Sequence, residues 1–118
     1  MKNFRKLRVW EMGMTLVEDT YKLCSDLPLE EKYGLANQMR RCAVSIPSNI
    51  SESCSRSSDL DMARFIEIAL GSAFELETQF LISERLGYLE KNKCENLIIK
   101  LTELQKSSSA LINSLKKK

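Results

Sequence analysis

The side chains able to do chemistry near neutral pH are few in this sequence, and their spacing argues against catalysis. None of the 118 residues is a histidine, so the ordinary general base is missing. Glu75 and Glu77 flank Leu76, but residues two apart on a helix face away from each other and cannot act as a pair. Cysteines stand at 24, 42, 54 and 94, with no C-x-x-C among them. A zinc site would need all four thiols to converge from distant segments. They read instead as reduced cysteines packing as small apolar residues in a cytoplasmic protein. There is no glycine-rich phosphate loop, and the Glu-x-x-His pairs of a di-metal bundle cannot exist without histidine. The expectation is a protein that is not an enzyme and holds no metal and no cofactor.

Binding chemistry is better represented. Lys2, Arg5, Lys6 and Arg8 crowd the start, and Arg40, Arg41 and Arg56 follow. An arginine fork donates two parallel hydrogen bonds to a phosphate, so these seven are the candidate nucleic-acid contacts. Paired arginines also make ion pairs between subunits, so the pair at 40–41 does not discriminate by itself. No RRM, KH or zinc-finger pattern accompanies them. Trp10 suits a core, an interface anchor or a base-stacking platform.

These residues must be positioned by helices, because the apolar residues recur at helical spacing. The first helix is predicted over about 7–25. Trp10, Met14, Val17, Tyr21 and Cys24 form one apolar line, and Gly13, Leu16, Thr20, Leu23 and Leu27 a neighbouring one. Two lines make a face wider than one partner helix covers. Residues 1–7 are expected to be extended or loosely ordered. Pro28 ends the helix, since the residue before proline disfavours α geometry.

The second helix, about 34–53, carries Leu35, Met39, Cys42, Ile46 and Ile50 on one line, with Pro47 inside the pattern. Proline has no N–H for the carbonyl of Ala43 and its ring crowds that carbonyl, so a kink is expected at a cost of roughly 3 kcal/mol. Ser45, Ser48, Asn49 and Ser51 surround it, ready to bond freed backbone groups or to admit a close neighbour. The third helix, about 59–86, has Ser58 as N-cap and Gly87 as left-handed C-cap. Ala69 and Ala73 should let the second helix approach it. The fourth, about 91–115, has a heptad seam from Cys94 to Leu115 and a soft middle at Ser107-Ser108-Ser109. Short loops force antiparallel neighbours, giving an up-down-up-down four-helix bundle in one all-α domain, 1–118.

The net charge of +2 is too small to imply a nucleic-acid binder, but its distribution is uneven. Residues 1–8 carry four bases and no acid, residues 116–118 are lysines, and the remainder holds eleven bases against sixteen acids. No apolar run approaches the ~18 residues of a membrane span, and the basic start leads into Glu11 rather than an apolar stretch. No membrane association is expected, and the location is expected to be cytoplasmic.

Several ordered stretches resemble a known family. They are Phe4-Arg5-Lys6-Leu7-Arg8-Val9-Trp10, Glu31-Lys32-Tyr33-Gly34-Leu35, the run from Gln38 to Ile50, Ala69-Leu70-Gly71-Ser72, Glu75-Leu76-Glu77-Thr78-Gln79 and Arg85-Leu86-Gly87-Tyr88-Leu89. Together they resemble the bacterial 23S rRNA intervening-sequence proteins. Ser51-Glu52-Ser53 departs from the Ala-Glu-Gly usual there. The resemblance implies a left-handed antiparallel bundle assembling as a ring-like homopentamer. A related branch, the accessory variability determinant proteins of diversity-generating retroelements, binds nucleic acid and a reverse transcriptase.

The functional expectation is therefore a non-enzymatic homo-oligomer gripping RNA or DNA phosphates through its basic N-termini and the arginine pair. The alternative is a scaffold or accessory subunit for a protein partner such as a reverse transcriptase, with no nucleic-acid binding of its own. The surplus apolar residues and the residues around Pro47 are the candidate oligomer interface: Trp10, Leu16, Ser45, Pro47, Ser48, Asn49, Phe65, Phe74 and Leu81. Large exposed apolar patches are uncommon on soluble monomers, which is why a second copy is expected to cover them.

Overall fold

The computed structural model describes residues 2–117, so Lys118, the last of the terminal lysines, lies outside the described residues. Four helices make up the chain: α1 (Arg8–Cys24), α2 (Leu35–Ser53), α3 (Asp59–Arg85) and α4 (Lys91–Lys116). Each end lies within one residue of the span expected from periodicity. There is no strand among the described residues, and the bundle is 46 Å long.

Local chemistry sets the ends. Ser58 Oγ accepts a hydrogen bond from the Asp61 amide at 3.1 Å, and Asp59 and Asp61 sit at the positive end of the α3 dipole. At the other end Gly87 takes φ +75°, where a side chain would be strained. The Gly87 amide then reaches the Glu84 carbonyl at 3.0 Å and the Tyr88 amide the Ser83 carbonyl at 2.9 Å. Those two bonds are the Schellman pattern, which satisfies carbonyls that the last helical turn leaves free.

Successive helices are neighbours, and α4 closes back onto α1. Cross-contacts fix their directions. Cys24 of α1 meets Ala36 of α2, Met39 of α2 meets Ser83 of α3, and Cys94 of α4 meets Phe80 of α3. A second contact in each pair, Gly13 with Pro47, Ser45 with Ser72 and Lys116 with Glu67, lies farther along the two helices in opposite directions, so neighbours run antiparallel.

The core follows the apolar lines. Met39, Ile46 and Ile50 of α2 are fully buried, as are Ile66, Ala69, Ala73, Leu76 and Phe80 of α3. Sequence alone could not choose between the two lines of α1. The structure buries Gly13, Leu16, Thr20, Leu23 and Leu27, and leaves Met14 and Tyr21 exposed. Leu16, expected at an oligomer interface, is thus a core residue with 1% of its surface exposed. Pro47 is corrected in the same way. It lies inside the single helix α2, buried against α1, where a Cβ on Gly13 would stand 3.3 Å from Pro47 Cβ. The bare glycine lets the proline ring seat, and that packing offsets part of its cost to the helix.

The expectation for residues 1–7 is also corrected over residues 2–7, Met1 lying outside the described residues. Phe4–Lys6 form a 3-10 turn capped by Asn3, whose Oδ1 accepts from the Arg5 amide at 3.1 Å. The Lys2 amide bonds the Cys54 carbonyl at 3.2 Å, and Phe4 meets Trp10 edge to face at 5.2 Å between ring centres. The segment is pinned by long-range contacts that local composition does not reveal.

Candidate nucleic-acid interface

With four antiparallel helices, both chain ends come to one end of the bundle. There lie the 3-10 turn, the start of α1, the α2–α3 loop and the end of α4. Residues 2–12, 48–67 and 106–117 build this end and hold nine bases against five acids, whereas 13–47 and 68–105 hold eight bases against eleven acids. The two basic runs, from opposite ends of the sequence, thus fall together on one pole of a nearly neutral chain.

Part of that charge is neutralised locally. Lys2 approaches Asp59 at 4.0 Å, Arg56 approaches Asp61 at 3.9 Å and Lys116 bonds Glu67 at 3.2 Å. Arg56 also lies 5.1 Å over the Phe65 ring, and Arg5 lies 4.8 Å over Phe4. Lys6 and Arg8 are exposed and meet no acid among the described residues. The pole therefore offers free cations for phosphate and arginine-covered rings beside them.

Arg40 and Arg41 do not join this pole, and they do not form a pair. They sit roughly 20 Å along α2 from its end at Cys54. Consecutive helical residues point about 100° apart, so the two guanidinium groups enter different seams. Arg40 lies 5.6 Å over Tyr21 of α1, whereas Arg41 lines the groove between α2 and α3. A joint grip on one phosphate is excluded by that divergence. Helix geometry alone carried this signal.

The candidate interface residues also separate. Asn49 Nδ2 donates to the Ser45 carbonyl at 2.8 Å and to Ser45 Oγ at 3.0 Å. Ser45 Oγ in turn shares a 2.9 Å hydrogen bond with Ser72 Oγ of α3, so Ser45 and Asn49 serve contacts within the chain. Trp10 and Phe65 are half-buried, while Ser48, Phe74 and Leu81 are exposed. Two apolar strips result. Met14, Tyr21 and Val44 run along the α1–α2 side, where Arg40 covers Tyr21. Phe74 and Leu81 flank Glu77, which accepts from Gln105 Nε2 of α4 at 2.8 Å, so they mark the α3–α4 side. In a four-sided bundle those sides are opposite.

Three of the thiols, at Cys24, Cys42 and Cys94, are held protonated. Burial, with Glu75 adding to it, pushes Cys42 up to about 12, and Cys42 Sγ donates to the Ser72 carbonyl at 3.1 Å. Burial raises Cys24 against the pull of Arg40, and raises Cys94 with help from Glu84 and Glu95. Such thiols are poor nucleophiles and poor metal ligands. Among the described residues no group of histidine, cysteine or acidic side chains is placed to hold a metal ion. No helix among them is long and apolar enough to cross a membrane.

An all-α four-helix bundle with a basic pole and buried, free thiols is the class of protein these features define. The description "23S rRNA-intervening sequence protein" belongs to the family model that matches residues 5–110, and the chain is a member of that family. Among solved structures it is similar to a protein of unknown function from the S23 ribosomal protein family of Bacteroides thetaiotaomicron VPI-5482. The two are 25% identical, with a TM-score of 0.82 over 89% of this chain and 95% of that one. No curated protein matches the chain.

Proposed function

We propose that this chain is a non-enzymatic cytoplasmic homo-oligomer that holds RNA or DNA phosphates at its basic pole. The observation that carries the reading is the convergence of both basic termini at one bundle end. Phosphate contacts of this kind position a nucleic acid without reading its sequence. The two opposite apolar strips support assembly. An α1–α2 strip on one copy meeting an α3–α4 strip on the next is a head-to-tail contact, the kind that generates closed rings, and a pentamer is the ring proposed here.

Filter binding with a structured rRNA fragment tests this across salt concentrations. Affinity should fall steeply as salt rises, and a Lys6→Glu/Arg8→Glu variant should bind at least about tenfold more weakly at low salt. Binding that is absent at low salt, or indifferent to salt, sinks the reading. Equilibrium sedimentation checks assembly, and a 13.5 kDa species at micromolar concentration would remove it.

A second reading is favoured by Leu29 and Tyr33, each 85% exposed at the opposite end of the bundle. They suit a scaffold for a protein partner such as a reverse transcriptase. That reading expects co-purification with a protein that Leu29→Ser/Tyr33→Ser abolishes, and no salt-dependent nucleic-acid binding.

A further inference from the structure

A cleft of about 240 Å³ opens at the basic pole between the N-terminal 3-10 turn and the C-terminal end of α2. Its lining holds two bases, Lys2 and Arg5, and no acid. The Phe4 ring and the Arg5 guanidinium both line it, with the guanidinium 4.8 Å from the ring centre. The turn that carries them is fixed in place. The Lys2 amide bonds the Cys54 carbonyl at 3.2 Å, and the Phe4 ring meets Trp10 at 5.2 Å between ring centres. The cleft thus has two planar groups in its wall, on a turn that the fold holds.

Its rim offers hydrogen bonds of both kinds. Ser51 Oγ donates to the Ser48 carbonyl at 2.9 Å and Ser55 Oγ to the Glu52 carbonyl at 2.7 Å. With their protons committed, these two hydroxyls present lone pairs. Asn3 Oδ1 is taken by the Arg5 amide at 3.1 Å, which leaves its Nδ2 as the donor. A simple anion would use the cations alone. A nucleobase joined to a phosphate uses all three features: the planes for stacking, the mixed rim for its edge, the cations for its charge. In a duplex the base faces are already stacked on their neighbours, and the backbone alone is left for this surface. We infer that the cleft takes one unstacked base, so that the pole prefers single-stranded nucleic acid to duplex. The inference rests on the reading of the pole as a phosphate-holding surface.

Filter binding at one low salt concentration tests it with three probes: a mixed-sequence single strand, the same strand paired with its complement, and an abasic strand of equal length. The single strand should bind at least about tenfold more tightly than either of the others. Two variants locate the effect. Arg5→Lys keeps the charge and removes the plane, and Phe4→Leu keeps apolar packing and removes the ring. Each should weaken single-strand binding by about fivefold or more and leave duplex binding unchanged. Arg5 is exposed, so Arg5→Lys keeps the fold, and the abasic strand tests the unaltered protein. Duplex or abasic strand bound as tightly as the single strand overturns the inference and leaves the phosphate reading standing. Equal losses of single-strand and duplex affinity in Arg5→Lys do the same. No binding of any probe removes both readings.

Discussion

The α2–α3 seam and the α1–α4 seam join helices of similar orientation by opposite means. Between α2 and α3 the polar contacts are short side chains: Ser72 on one side meets Cys42 and Ser45 on the other. Backbones come close enough for a thiol to reach a carbonyl of the next helix at 3.1 Å. Between α1 and α4 the polar links are long side chains, Lys93 to Asp26 at 2.8 Å and Lys100 to Asp19 at 2.6 Å. They bridge a groove of about 360 Å³ with Leu23 and Leu97 in its lining, and this is the least extensive of the four helix pairings. A seam of small residues depends on shape, whereas a seam of lysine bridges depends on solvent and salt.

Overfilling the core beside the tight seam should have the largest effect. Ala73→Leu inserts a branched side chain where no surface is exposed, and should cost about 1–3 kcal/mol in urea unfolding. An unchanged midpoint would mean that the core around Ala73 is not tightly packed.

Two glycines sharpen the comparison. At Gly71 on α3 an added Cβ would meet nothing within 4 Å, so Gly71→Ala should stabilise the protein by about 0.5–1 kcal/mol through helix propensity. At Gly13 the same change presses a methyl onto the Pro47 ring at 3.3 Å, which a rigid ring cannot yield to. That strain should cancel or reverse the propensity gain. Equal stabilisation by both substitutions would show that α1 and α2 can separate freely at Pro47.

The tight seam should also have a pH signature. The Cys42 thiol has a folded-state value raised to about 12 from an ordinary value of 9.0. The fold therefore favours the protonated thiol, and that contribution is complete below about pH 9 and is lost as pH rises towards 12. Melting temperature followed from about pH 8 to pH 11 should fall less steeply in Cys42→Ala than in the wild type. Parallel slopes would contradict the role given to this thiol. The smallest effect belongs to the loose seam. Lys100→Ala should cost less than about 1 kcal/mol, and high salt should erase the difference.

Much of this was legible from residue order. Ser58, Gly87 and the apolar lines of α2 and α3 place helix ends and core faces because those signals are local. Other features depend on which chain segments meet. Both lines of α1 are apolar, and only the positions of α2 and α4 decide that Leu16 goes inward and Tyr21 outward. The N-terminal turn is held by Cys54, far along the chain, so its order has no signature in Lys2-Asn3-Phe4. Arg40 and Arg41 look like a pair because they adjoin in sequence, although one helical step already separates their directions. The α2–α3 groove depends on how α3 docks against α2, which no periodicity reports.

An even number of helices returns the chain to the pole it left. A short glycine–serine linker from Lys117 to Lys2 would close the chain into a ring, and new ends opened within 86–90 would then emerge at the far pole. Such a circular permutant keeps the four seams while replacing two tethered tails by a single covalent strap across the basic surface. An affinity tag joined at residue 2 or 117 crowds that surface, whereas a tag on the permutant leaves it open.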